Sequence, residues 1–326
     1  MKRHSRAWRE RKARRFGYAA VAGLLGISVL IPGDAPTTVE PEVESVRSQF
    51  AEAFTPDLPS FLGGRSSSDE AIAAESAASW DLPNLDHPRV DYWVDRFQTD
   101  KREEFEGFLA RKGRYEEMIL SKLDERGVPR DILYLAMIES GFRPKAYSSA
   151  HASGIWQFIP ETGKRYGLDI NRAVDERNDP EKATDAALSY LSDLHDRFDS
   201  WYLAAASYNT GENRVGRIMR ETTGSERGKE EDYYRIWERL PRETRDYVPL
   251  MIAAARISKE PARYGFDHVV PEAPEQFKVL TVDAATPLST IAKRAGTSVA
   301  ELKRLNPELK IDRTRNDKAS AIRIAG

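Results

Sequence analysis

One carboxylate in this chain stands where a general acid could be built. Glu139 closes the run Ile132-Leu133-Tyr134-Leu135-Ala136-Met137-Ile138, and Ser140-Gly141 follow it. Ile132, Leu135 and Ile138 recur at helical spacing, so the run reads as a helix with a buried face. A carboxylate at the end of such a helix sits where packed core meets a cleft. Burial disfavours the charged form, which lets a glutamate stay protonated near neutral pH and hand a proton to a leaving group. Glycosidases ordinarily pair such an acid with a second carboxylate acting as base or nucleophile. No second acid stands in a comparable pattern. Glu161 follows Pro160 at a helix start, where it complements the helix dipole. Asp131 belongs to the first turn of the Glu139 helix, and Glu243 reads as structural.

Three blocks extend the pattern around Glu139. The first holds Glu139, Ser140, Phe142, Pro144, Ala146 and Ser148; the second holds Gly154, Trp156 and Gln157; the third holds Ala206, Tyr208, Asn209 and Gly211. In order and spacing they resemble the catalytic core of lytic transglycosylases of the goose-lysozyme-like superfamily, of the membrane-bound lytic transglycosylase D type, over roughly residues 90 to 270. The resemblance implies a helical, lysozyme-like domain that cleaves the bond between N-acetylmuramic acid and N-acetylglucosamine in peptidoglycan without water. It also gives a reason for the missing partner. The muramyl C6 hydroxyl attacks its own anomeric carbon to give a 1,6-anhydro product, and one glutamate serves as acid and then as base. An internal nucleophile has the advantage of high effective molarity.

The same resemblance assigns the other residues. Glu139 is the catalytic group. Ser140 orients backbone or substrate, and Ser148 bonds substrate or supports its loop. Gly154 lets the backbone approach the sugar, and Gln157 offers an amide to its N-acetyl or hydroxyl groups. Tyr208 and Asn209 match the cleft wall opposite the glutamate, and Tyr247 matches a tyrosine that hydrogen-bonds the catalytic carboxylate. Trp156 reads as core rather than as a stacking platform, and His151 as solvent-facing with no matched role. Two other readings keep the fold: a muramidase that uses water, and a peptidoglycan-binding scaffold whose catalytic domain is inactive.

The elements that must position these groups read as mainly α. Aromatic and aliphatic residues from Tyr92 to Leu123 suit two amphipathic helices, with Gly127-Val128-Pro129 stopping the second. Further helical patterns run over 161–166, 180–198, 201–208, 213–221, 233–239 and 243–259, with Asp179 as a cap before Pro180. The pattern changes at Phe277. Residues 277–282 alternate like a strand, 287–293 and 299–305 read as helices, and 321–324 as a closing strand. This β-α-α-β order resembles a LysM module, a small α+β fold that binds N-acetylated glycans. Its usual glycine-aspartate turn is replaced here by Asp283-Ala284-Ala285. A structural cap is the alternative role.

The chain has 326 residues, a net charge of −2 and no cysteine. Disulfides, thiolate chemistry and a lipid-modified cysteine are therefore excluded. Eight Lys and Arg residues crowd positions 2–15, opposed there by Glu10, so the remainder is acidic and nucleic acid is not the expected partner. Residues 16–31 are uncharged and mostly apolar. With the basic head they form a signal peptide or a short membrane anchor, and the uncleaved anchor is preferred because Pro36 follows the nearest small-x-small site, Gly33-Asp34-Ala35. The expected organisation is a head and anchor over 1–33, a disordered tether over 34–86, a catalytic domain over 87–270 and a LysM-like module over 277–326. The expected location is the periplasm, anchored in the inner membrane. No His or Cys cluster has metal-ligand spacing, so neither metal nor cofactor is expected.

Overall fold

The structure is a computed structural model and describes residues 79–326; the basic head, the apolar run and the tether up to residue 78 lie outside it. Two helices open the described part, α1 (Pro88–Gln98) and α2 (Arg102–Arg126). Proline stands at the first position of α1, where its missing N–H costs nothing, and His87 Nδ1 accepts from the Arg89 N–H. Gly127, left-handed at φ 63°, ends α2 and donates its N–H to the Leu123 and Asp124 carbonyls. A 3₁₀ turn over Arg130–Ile132 then feeds α3 (Leu133–Ser140). All eight residues of α3 are buried, so this helix is the centre of the fold rather than one of its faces.

Around α3 stand α4 (Pro160–Arg165), α5 (Pro180–Phe198), α6 (Trp201–Thr210), α7 (Glu212–Thr223), α8 (Asp232–Ile236) and α9 (Arg242–Lys259). The Asp179 carboxylate accepts from the Glu181 and Lys182 N–H groups at 3.0 and 3.2 Å, the cap its sequence position predicts. Helix α9 packs on α1, α3 and α6, and it continues through an internal Pro249. The core is one connected cluster in which Phe97 stacks on Phe105 and Trp156 is fully buried.

The start of the folded part differs from the expected tether. Residues 79–86 pack on the helical domain instead of hanging free of it. Leu82 is buried, and Trp80 and Leu85 pack against the core. Asp131 accounts for this: its Oδ2 accepts from the Asp81 and Leu82 N–H groups, while Lys259 pairs with its Oδ1. A buried acid at the foot of α3 thus ties three distant stretches together, and composition alone could not reveal it.

The C-terminal part holds β1 (Phe277–Val282), α10 (Leu288–Ala295), α11 (Val299–Leu305) and β2 (Ser320–Ala325), in the predicted order. The strands pair antiparallel with Phe277 opposite Ala325 and Val282 opposite Ser320. Ala285, in the turn where the sequence departs from the LysM pattern, has φ 57°, a conformation that glycine takes at no cost. Among the described residues no helix is long and apolar enough to cross a membrane.

Candidate active site

Glu139 lies in the last turn of α3 and is 1% exposed. The Tyr247 hydroxyl, on α9, donates to its Oε1 at 2.6 Å. Tyr247 is itself fixed from behind. Its neighbour Asp246 is buried against α1, where it accepts from Arg89 Nε, from Arg89 Nη2 at 3.0 Å and from Trp93 Nε1 at 3.2 Å. Helix α3 stops immediately after the acid because Gly141 and Phe142 are successive left-handed residues, at φ 57° and 59°. A Cβ on residue 141 would stand 2.4 Å from the Phe108 ring, so only glycine fits there. Arg111 donates to the Gly141 carbonyl at 2.6 Å, a cation at the negative end of the helix. Burial, with Arg143 beside it, lowers Arg111 to about 10, which leaves it charged at neutral pH.

Beyond the helix end the chain forms a tight loop over residues 146–158. Ser153 and Phe158 exchange backbone hydrogen bonds, and the Gly154 N–H donates to the Ala146 carbonyl. Several of the residues singled out in the sequence hold this loop by hydrogen bonds. Ser140 is fully buried, and its hydroxyl donates to the Ile155 carbonyl at 2.9 Å. Tyr208 donates to the Trp156 carbonyl at 2.7 Å. The Gln157 amide nitrogen donates to the Gly154 and Ala146 carbonyls at 2.8 and 3.1 Å, while its buried Oε1 makes no hydrogen bond among the described residues. Ser148 Oγ accepts from the Ala152 N–H, which supports the loop. Trp156 is core, with its indole N–H on Thr184 Oγ1.

Gly154 needs its missing side chain for the packing of this chain itself. At φ 87°, a Cβ there would lie 1.8 Å from the Arg177 carbonyl oxygen, so two stretches of this chain approach closely at this position. Asn209 also serves position. Its Oδ1 accepts from Thr244 Oγ1 at 2.8 Å, joining the end of α6 to the first turn of α9, one turn before Tyr247. His151 is exposed, and its Nδ1 lies 2.6 Å from the Tyr147 hydroxyl.

The structure therefore brings Glu139 and Tyr247 into contact, and it gathers Ser140, Ser148, Gly154, Gln157 and Tyr208 on the one loop beside them. Sequence reasoning missed Arg177. This buried guanidinium donates to the Phe158 carbonyl at 2.9 Å and the His151 carbonyl at 2.6 Å, and it is held by a two-point ion pair with Asp175. The available signal was an Asp and an Arg two residues apart before a helix cap. A pair like that ordinarily reads as solvated surface.

Comparison with known proteins finds two family matches and several relatives. Residues 117–230 match the Transglycosylase SLT domain family, and residues 276–324 match the LysM-like domain family of the lytic transglycosylase MltD. The membrane-bound lytic murein transglycosylase D of Escherichia coli is 38% identical over 199 residues, which cover 60% of this chain and 43% of that protein. The peptidoglycan transglycosylase gp16 of Escherichia phage T7 is 38% identical over 110 residues, covering 33% of this chain and 8% of that one. The solved 70 kDa soluble lytic transglycosylase of Escherichia coli superposes with a TM-score of 0.37 at 24% identity, over 48% of this chain and 25% of that one. The chain spans less than half the length of these relatives. It carries a transglycosylase SLT domain followed by a LysM-like domain of the lytic transglycosylase D type.

Proposed function

We propose that this protein is a peptidoglycan lytic transglycosylase that cuts the β-1,4 bond between N-acetylmuramic acid and N-acetylglucosamine. The observation that carries the reading is a buried glutamate at the end of a buried helix, oriented by the Tyr247 hydroxyl at 2.6 Å. Protonated Glu139 gives its proton to the glycosidic oxygen as the C1–O bond breaks, and the substrate's acetamido group stabilises the cation that forms. The Glu139 carboxylate then takes the proton of the muramyl C6 hydroxyl while O6 bonds to C1, closing the 1,6-anhydro ring. The acid ends the cycle protonated, as it began, and no water is consumed. A tyrosine hydroxyl suits both halves, because it can donate to the carboxylate and accept from the acid.

The names of the relatives support this substrate class, and the LysM-like domain supplies a second contact with the same glycan strands. The basic head and residues 16–31 would hold the enzyme on the periplasmic face of the inner membrane, in keeping with a relative named as membrane-bound. The test is mass spectrometry of muropeptides released from purified sacculi. The full chain should yield anhydro-muramyl ends, and Glu139→Gln should yield none. Acid–base catalysis contributes about a hundredfold or more, so a Glu139→Gln enzyme within about tenfold of the parent sinks the assignment. Reducing ends in place of anhydro ends would make the enzyme a hydrolase, and binding without products would make it a scaffold.

A further inference from the structure

The segment 169–179 belongs to two structures at once. On one side it completes the C-terminal module. Val174 lies in the module's apolar core with Leu288, Ile291, Leu302, Leu309 and Ile322. Residues 174 and 309 form an antiparallel bridge, with the Asp175 N–H on the Glu308 carbonyl and the Lys310 N–H on the Ala173 carbonyl, both at 2.9 Å. Arg323 of β2 reaches the buried cap Asp179 at 2.8 Å. On the other side the same segment carries Arg177, which grips the 146–158 loop by two carbonyls, and Asn178, whose Oδ1 accepts from Ser153 Oγ at 2.7 Å. The connection between the two domains is fastened as well. The Glu272 N–H donates to the Ala110 carbonyl, and Glu275 pairs with Arg114 and with Arg304 of α11.

We propose that the C-terminal module is a fixed brace of the active-site loop, and that Arg177 is the positioning residue through which it acts. A glycan-binding module on a flexible connection would add local concentration and leave the chemistry untouched. Here the module's own core contains a residue of the catalytic domain. Loosening the seam frees the segment that holds the His151 and Phe158 carbonyls, and the loop beside Glu139 then samples conformations in which the acid and its surroundings are out of register. A small misplacement of this kind costs turnover more than binding. The turnover part of this proposal rests on the transglycosylase reading; the loop-ordering part does not.

Two full-length variants test it together by hydrogen exchange and by kinetics on a short soluble glycan strand. Val174→Asp with Arg323→Ala opens the seam, reported by the Asp175 and Lys310 amides. Arg177→Lys leaves the seam closed and removes the forked grip on the loop. In both, the amides of Ser153, Gly154, Gln157 and Phe158 should exchange at least about tenfold faster, as local opening becomes easier. In both, kcat should fall by a larger factor than KM rises. Unchanged loop amides in a variant with an open seam, or in folded Arg177→Lys, overturn the proposal. Should the double variant unfold, Arg177→Lys still decides. A parent enzyme that releases no product would count against the function alone, since the exchange measurement stands without activity.

Discussion

Two buried glutamates in this molecule are built for different work. Glu139 ends the central helix and accepts from a tyrosine hydroxyl. Glu308 lies in the seam between the domains, with its Oε2 3.9 Å from Arg323, which also binds Asp179. A phenol can hold a carboxyl group in either protonation state, because it can donate or accept. A cluster of full charges cannot, since gaining or losing one proton changes the balance of the whole group. The first environment keeps geometry constant while a proton moves, as the catalysis proposed for Glu139 would require. The second makes the fit of two domains depend on where the proton is. Residue type alone does not distinguish them; what touches the carboxylate does.

After Glu139→Gln, the largest effect is expected where the two regions meet. Gly154→Ala places a Cβ 1.8 Å from the Arg177 carbonyl at a φ of 87°. Overpacking and left-handed strain together cost roughly 2–5 kcal/mol. The melting temperature should fall by roughly 5–15 °C for a folded part of this size. A Gly154→Ala protein that melts with the parent would mean that the loop and the 169–179 segment are not in close contact.

Tyr247→Phe is a sharper probe of the acid's environment. It keeps the ring in its buried place and removes the hydroxyl that bonds Glu139. Leaving a buried polar group without that bond costs about 1–3 kcal/mol, so kcat should drop roughly tenfold to a hundredfold. The Tm should move little. The comparison breaks if turnover is untouched, or if Glu308→Gln lowers kcat as much as Tyr247→Phe does.

Much of this was legible before the fold was known. Helices α5 and α9, the Asp179 cap and both C-terminal strands follow from apolar period and capping chemistry. Glu139 and Tyr247 stand in recognisable patterns and do meet. The specific backbone partners of Ser140, Gln157 and Tyr208 were not legible, because those partners are the carbonyls of Ile155, Gly154, Ala146 and Trp156. A backbone carbonyl carries no residue identity, so a polar side chain aimed at one looks, in sequence, like a side chain waiting for a ligand. The seam was hidden for a related reason. Arg177, Glu308 and Arg323 are charged residues that composition assigns to solvent, and only packing shows them buried or nearly so. The order of residues 79–86 escaped in the same way, since it depends on Asp131, far along the chain.

The smallest expected effect is a pH dependence confined to the seam. Burial, and then the neighbouring Asp179 carboxylate, push Glu308 up to about 7, against the opposing pull of Arg323 and Lys182. The groups around it also include Glu176, paired with Lys182, and Glu181, paired with Arg323. An acid whose pKa is higher in the docked state than in the open one favours docking when it is protonated. The contribution is therefore fully present below the ordinary glutamate range and is lost as pH rises through about 7. Glu308→Gln stays neutral at every pH and should lack this loss. Exchange of the Asp175 and Lys310 amides, compared between parent and variant at the same pH, removes the intrinsic pH dependence of exchange. The two proteins should match near about pH 4, and the parent should exchange progressively faster as pH rises, by at least severalfold near about pH 8.5. A ratio that stays flat across this range would show that Glu308 does not set the grip of the module, and the contrast with Glu139 would then rest on geometry alone.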